Sequence, residues 1–151
     1  PHKLAICGGT GWRFDPGKAL DGVAHREDVL FCDYIADEDM PALYSAADLF
    51  VFATLYEGFG IPILEAQNCG TPVLAGSVTA MPEAGGEGAL YADPLNVEEI
   101  AAGMLRILQS EEEAARLRAA GYRNAARFSW ENSPRLLQQA VTRAREEWEA
   151  R

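Results

Sequence analysis

Thr54-Leu55-Tyr56-Glu57-Gly58-Phe59-Gly60-Ile61-Pro62-Ile63-Leu64-Glu65-Ala66 is the stretch around which the chain is organised. The apolar run Leu49-Phe50-Val51-Phe52-Ala53 feeds directly into it and reads as a buried strand. Two glycines around an aromatic then lead to Pro62 at the start of a helix, where a missing N–H is no loss because the first amides have no internal partner. Gly70 followed by Pro72 closes that helix. The reading is strand, glycine loop, short helix, with Glu57 in the loop and Glu65 about one turn into the helix. The amides of Gly58, Phe59, Gly60 and Ile61 would crowd at a helix N-terminus, where the dipole favours an anion. One carboxylate lies on either side of it.

Outward from this stretch the same alternation continues. Lys3 to Cys7 and Val29 to Cys32 read as strands before it, Pro72 to Ala75 and Ala89 to Tyr91 as strands after it. A weak helix is expected near Lys18 to Ala24. Another is expected from Asp37-Glu38-Asp39 to Ala46, its first-turn acids complementing the dipole and Leu43, Ala46 and Ala47 forming its apolar face. Met81 to Ala84 reads as one helical turn. Asn96 with Glu99 opens a helix over Val97 to Leu108, striped by Ile100, Met104, Ile107 and Leu108. Ser110 with Glu113 opens one to about Ala126, and Ser129 caps a long C-terminal helix from Trp130 to about Glu149, within residues 129–150. The fold class expected is α/β: a Rossmann-like parallel sheet with helices on both faces, residues 1–151 forming one domain. Ligands bind such sheets outside the carboxyl ends of the strands. The loops Gly8–Gly11, Asp33–Asp37, Tyr56–Ile61 and Gly76–Ala80 share that edge.

Composition narrows the function. With 151 residues, 48% of them hydrophobic, the chain can bury a core, and it has no apolar run near the roughly 20 residues that span a bilayer. A net charge of -10 argues against a nucleic-acid partner, so any phosphate must be held by local dipoles and a few basic groups. Cys7, Cys32 and Cys69 lack metal-ligand spacing and read as buried reduced thiols, which points to a cytoplasmic setting. Gly9-Thr10-Gly11 after a strand invites a dinucleotide reading, but Phe14 stands where a third glycine is needed, and a strand-end turn fits better. His2 and His25 read as solvated. Glu57 and Glu65 suit an anionic ligand that carries hydroxyls: amides take the anion, carboxylates accept from the hydroxyls.

The sequence resembles the C-terminal, donor-binding half of a GT-B glycosyltransferase of the retaining group 1 (family four). The resemblance runs through Met40 to Phe52, Leu55 to Ala66, Cys69 to Ala75, Met81-Pro82-Glu83, Tyr91 to Pro94 and Arg127 to Glu131, and its two glutamates separated by seven residues, Glu57 and Glu65, are unbroken. It implies that Glu57 contacts the donor sugar and shapes the site around the anomeric carbon. It implies that Gly58, Phe59, Gly60 and Ile61 offer amides to sugar and diphosphate, that Glu65 holds the ribose hydroxyls, and that Tyr34 and Ile35 border the base. The reaction implied is transfer of a sugar from a nucleotide-sugar to an acceptor hydroxyl with retention. No metal and no cofactor beyond the nucleotide-diphosphate-sugar donor is implied.

Two departures accompany it. The family's donor half opens with one more strand–loop–helix unit carrying an Arg and a Lys for the diphosphate, and the chain begins at Pro1, after that unit and without the N-terminal acceptor domain. Arg13 and Lys18 are the nearest basic residues, and that role is not transferred to them. The missing strand would sit mid-sheet, to be replaced by a partner chain, strand exchange or an altered sheet. Expected consequences are an inactive isolated chain, self-association through the C-terminal helix with Trp130 and Trp148, and attachment to a membrane, if any, through the missing half. The competing readings are a non-catalytic nucleotide-sugar binding module, a nicotinamide-dependent oxidoreductase half, and a phosphorylase, which would need a pyridoxal-binding lysine that this stretch does not offer.

Overall fold

Among the described residues five short parallel strands carry the fold, two in one sheet and three in another. The computed structural model describes residues 2–9 and 15–150. Thr10, Gly11, Arg13 and Phe14, on which the dinucleotide reading and one of the nearest basic groups rest, lie outside the described residues. The chain divides into two compact units, Pro1–Ala42 and Leu43–Arg151.

In the first unit β1 (Leu4–Cys7) pairs with β2 (Val29–Cys32), Leu4 opposite Val29 and Cys7 opposite Cys32. The helix expected over Lys18 to Ala24 is shorter and earlier, α1 (Pro16–Ala19). The Asp15 carboxylate starts it by accepting from the Gly17 and Lys18 amides, and Gly22, at φ +81°, turns the chain away soon after. No described residue of this unit is buried; the apolar side chains of Leu4, Ile6, Leu30 and Phe31 are 38–44% exposed. The cysteines correct the expectation of buried thiols: Cys7 is exposed, Cys32 and Cys69 are half-buried, and all three are free. Partial desolvation of the otherwise exposed group, then the neighbouring Cys32 thiol, pushes the Cys7 thiol above its ordinary value.

Asp37, Glu38 and Asp39 fall outside the helix they were expected to open. The amides of Asp39 and Met40 donate to the Ala36 carbonyl, closing a turn, and α2 (Met40–Ala46) begins after it. Tyr44, not Ala46, is its buried residue.

The second unit holds β3 (Phe50–Phe52), β4 (Val73–Gly76) and β5 (Ala89–Ala92), in that spatial order and all parallel, with Phe50 opposite Val73 and Val73 opposite Ala89. Its helices are α3 (Ile61–Asn68), α4 (Met81–Gly85), α5 (Val97–Leu108), α6 (Glu111–Ala125) and α7 (Asn132–Glu149), with a 3-10 turn at Gly86–Gly88. β4 is buried along its whole length, as a central parallel strand must be, whereas β3 is half-buried and not the buried strand expected. Leu74 packs with Ile107 of α5 and Ala114 and Leu117 of α6, bordered by Ile100 and Met104 of the expected stripe. Strand alternation sends Val73 and Ala75 to the opposite face, where both are 0–1% exposed. Each fully buried Ile or Leu contributes about 2 kcal/mol.

The caps read from sequence are in place. Asn96 Oδ1 accepts from the Glu99 amide at 3.1 Å, and Ser110 Oγ from the Glu113 amide at 3.1 Å. The Glu113 carboxylate does not return to Ser110 but joins Arg116 at 2.7 Å and Arg106 at 2.6 Å, locking α5 to α6. Those guanidiniums, Arg116 first, hold its carboxyl below the usual carboxylate range. α7 starts two residues later than expected: Ser129 Oγ accepts from the Glu131 amide, capping the turn before the helix. Every described residue of α7 is exposed. Among the described residues no helix is long and apolar enough to cross a membrane.

Candidate functional site

β3 ends at Phe52 and α3 starts at Ile61, so residues 53–60 form the loop that leaves the carboxyl end of the strand. Gly60 is the hinge between loop and helix. Its φ of +95° is left-handed, it is buried, and a Cβ built on it would stand 2.8 Å from Met81 Cε and 3.5 Å from Ala84 Cβ. Ile61 and Pro62 then occupy the first two helical positions, and the Ile63 amide donates back to the Gly60 carbonyl at 3.0 Å. At the far end the Gly70 amide bonds to the Gln67 carbonyl and the Thr71 amide to the Ala66 carbonyl, with Gly70 at φ +76°. That is the left-handed stop expected from Gly70 and Pro72.

Glu57 is half-buried in the loop, and its amide donates to Thr79 Oγ1 at 3.5 Å. Thr54 Oγ1 donates to the Tyr56 carbonyl at 3.3 Å, turning the chain just before Glu57. Gly58 is exposed, with open space where a Cβ would be. Phe59 meets Phe128 edge to face, 5.6 Å between ring centroids, and Arg127 sits 5.4 Å from the Phe128 centroid. Among the described residues no hydrogen bond is recorded from the amides of Gly58, Phe59, Gly60 or Ile61.

Glu65 projects from α3 into solvent and accepts a hydrogen bond from the Tyr44 hydroxyl at 3.2 Å. Tyr44 is itself fixed: it is 5% exposed, its ring meets Phe50 edge to face at 5.1 Å, and its carbonyl accepts from Thr71 Oγ1 at 2.6 Å. Sequence reasoning missed it as a site residue. The signal was a tyrosine inside the apolar pattern of α2, where a hydroxyl calls for a partner.

The structure therefore brings Glu57, Gly58, Phe59, Gly60, Ile61 and Glu65 together on one loop and the first turns of one helix. Tyr34 and Ile35 belong to the first unit; Tyr34 is 75% exposed and its hydroxyl reaches Asp37 at 3.5 Å. Also in that unit, His25, Glu27 and Asp28 bring ligand atoms within 4.8 Å of one another on a solvated turn. The open groove lined by Gln138, Gln139, Thr142, Arg143 and Glu146 is a face of α7 alone.

Charge sets a limit on what the site can do. From Glu27 to Leu105 the chain has no Lys or Arg. Amides and the α3 dipole can attract an anion, and two carboxylates can accept from hydroxyls, but no side-chain cation in that span can neutralise a diphosphate.

The profile of the family described as glycosyl transferases group 1 matches residues 1–124. Among curated proteins the chain is 42% identical, over 132 residues, to O-antigen chain mannosyltransferase B of Escherichia coli, covering 87% of this chain and 35% of that protein. It is 38% identical over 119 residues to the serotype-specific mannosyltransferase WbdA of Escherichia coli, covering 78% of this chain and 14% of that one. The chain thus spans about a third or less of the curated relatives it matches. Among solved structures, sucrose-phosphate synthase from Thermosynechococcus elongatus superposes with a TM-score of 0.75 at 26% identity, over 99% of this chain and 39% of that one. HepE of Anabaena in complex with UDP-glucose superposes with a TM-score of 0.80 at 21% identity, over 93% and 40%, a likeness of fold.

Proposed function

The chain belongs to the glycosyl transferases of group 1, and we propose that it is the donor-binding half of a retaining member, holding a nucleotide-diphosphate-sugar for transfer to an acceptor hydroxyl. The observation that carries this reading is the start of α3: four amides at a helix N-terminus, with the half-buried Glu57 before them and the exposed Glu65 one turn beyond. Three parts of the ligand, one anionic and two hydroxyl-bearing, are met by three parts of it. The amides and helix dipole face the diphosphate, Glu57 accepts from sugar hydroxyls beside the anomeric carbon, and Glu65 accepts from the ribose hydroxyls. Neither φ nor crowding requires glycine at Gly58, so the open ground there is free for close approach of the sugar.

Catalysis in this reading is positioning and stabilisation of the departing diphosphate, with no metal at the step. The stretch supplies orientation and hydroxyl acceptors. The cations must come from outside residues 27–105, and the chain by itself is expected to show no transferase activity. Mannosyl transfer in the names of the E. coli relatives makes a nucleotide-diphospho-mannose the first donor to try.

The test is a pair of substitutions in the full-length enzyme. Glu65→Ala should weaken nucleotide affinity about tenfold, roughly one lost charge-assisted hydrogen-bond pair, with Tyr44→Phe giving a smaller loss. Glu57→Ala should lower kcat at least a hundredfold with little change in donor affinity. Unchanged affinity and rate in both glutamate variants would remove the assignment. Donor binding without turnover by the intact protein would select the non-catalytic binding module instead.

A further inference from the structure

The loop between β4 and α4, residues 77–80, contains a residue that neither the family reading nor the site above uses. Among the described residues Thr79 is the one non-glycine residue with a positive φ, +53°. A β-branched side chain is poorly suited to that left-handed region, where glycine would be unstrained. Backbone strain of this kind persists where surrounding structure or function requires the side chain. The side chain at this position does one visible thing: its Oγ1 receives the amide of Glu57 at 3.5 Å.

That contact lies between two other points where the same loops are pinned together. A Cβ on Gly76 would stand 2.9 Å from the Thr54 carbonyl oxygen, so the β4 end lies directly on the start of the donor loop. Gly60, at the other end of the donor loop, lies on Met81 and Ala84 of α4. The donor loop is thus held at Thr54 and at Gly60 by close backbone packing. Midway, at Glu57, the polar tether from Thr79 is the hold described.

We propose that Thr79 is a positioning residue of the donor site: its hydroxyl, held in place by a left-handed backbone, fixes the Glu57 amide and so the direction in which the Glu57 carboxylate is offered to the sugar. This deepens the donor-site reading and rests on it for the kinetic consequence, though not for the contact itself. Glycine would satisfy the backbone and lose the hydroxyl. Serine would keep the hydroxyl without the β-branch. Alanine would keep the strain and lose the hydroxyl. The three variants therefore separate backbone from hydroxyl.

In the full-length protein, Thr79→Gly is expected to keep or raise the melting temperature, since it relieves the left-handed strain. Hydrogen exchange of the Glu57 amide, followed by NMR, should speed up three- to tenfold in Thr79→Gly and Thr79→Ala and return toward the parent rate in Thr79→Ser. With a nucleotide-sugar donor, kcat should fall about tenfold in Thr79→Gly while donor KM moves less than threefold, and Thr79→Ser should recover most of it. Parent-like exchange at Glu57 together with parent-like kcat in Thr79→Gly overturns the proposal. So does a Thr79→Ser variant as impaired as Thr79→Gly, because the hydroxyl would then not be the working group. If the parent protein neither binds nor turns over a nucleotide-sugar, the donor reading fails, and the exchange measurement still decides whether Thr79 holds Glu57.

Discussion

Single residues set the site's geometry, and Gly60 is the most exacting of them. Any side chain there must adopt a left-handed backbone and place a Cβ 2.8 Å from the Cε of the buried Met81, whose side-chain end must shift to admit it. Gly60→Ala is expected to cost about 2 kcal/mol in urea denaturation, from the αL penalty and the crowding together. A cost below about 0.5 kcal/mol would show that the loop rebuilds freely. Tyr91 offers a test by pH. Its hydroxyl donates to the Gly86 carbonyl at 2.7 Å, and burial pushes its pKa from 10.0 to about 12. The protonated form is the one the fold favours. Its stabilisation is therefore complete below pH 10 and is lost as pH rises toward 12. Ultraviolet titration of the tyrosines should show a late step that Tyr91→Phe removes; a single step near pH 10 in both proteins would contradict the burial. The placement of Glu57 in the loop and of Glu65 about one turn into α3 was legible in the sequence, but the contacts of Thr79 and Tyr44 were not. Their roles depend on a backbone angle and on a hydroxyl meeting a residue 21 positions away.

Elements were read well where a local rule fixes them. Asn96, Ser110, Pro62 and Gly70 each satisfy a helix end through neighbours within a few residues, so α3, α5 and α6 fall where their sequence signals stand. Asp37 to Asp39 look like a helix start, yet the Ala36 carbonyl captures the Asp39 and Met40 amides into a turn. What joins the elements is a buried polar cluster that no pattern announced. Gln67 of α3 donates from Nε2 to the Gly85 carbonyl at 2.9 Å. Asn124 of α6 donates from Nδ2 to Gln67 Oε1 at 2.8 Å and to the Ala84 carbonyl at 2.7 Å. Both side chains are 1–5% exposed, and both partners of each bond lie inside. Asn124→Ala would leave the Gln67 and Ala84 oxygens unsatisfied, and is expected to cost about 3 kcal/mol by chemical denaturation. A near-neutral result would mean that water enters to replace the amide. The cluster supports the helix that carries Glu65, so donor affinity should weaken along with stability.

For the molecule as a whole, burial divides unevenly between the two units. Leu43–Arg151 has a core built on Leu74, Ile63, Met81, Ile107 and Leu117, each at most 2% exposed. Pro1–Ala42 has no buried residue among those described. Hydrogen exchange should therefore be fast in β1 and β2, which open at little cost, and slowest in β4. Equal protection of the two sheets would contradict this, and it is best sought by exchange with mass spectrometry on the intact chain. The order of strands and helices, the caps, and the two glutamates astride a helix start were determined by the sequence itself. Each rests on propensity, periodicity or a bond within a few residues. The tertiary structure decided the rest: the division into two sheets, the exposure of strands that are apolar in composition, and the contacts of Tyr44 with Glu65, Asn124 with Gln67, and Thr79 with Glu57. Burial depends on what covers a residue and a long-range hydrogen bond on where two distant backbones meet, and neither is a property of the local sequence.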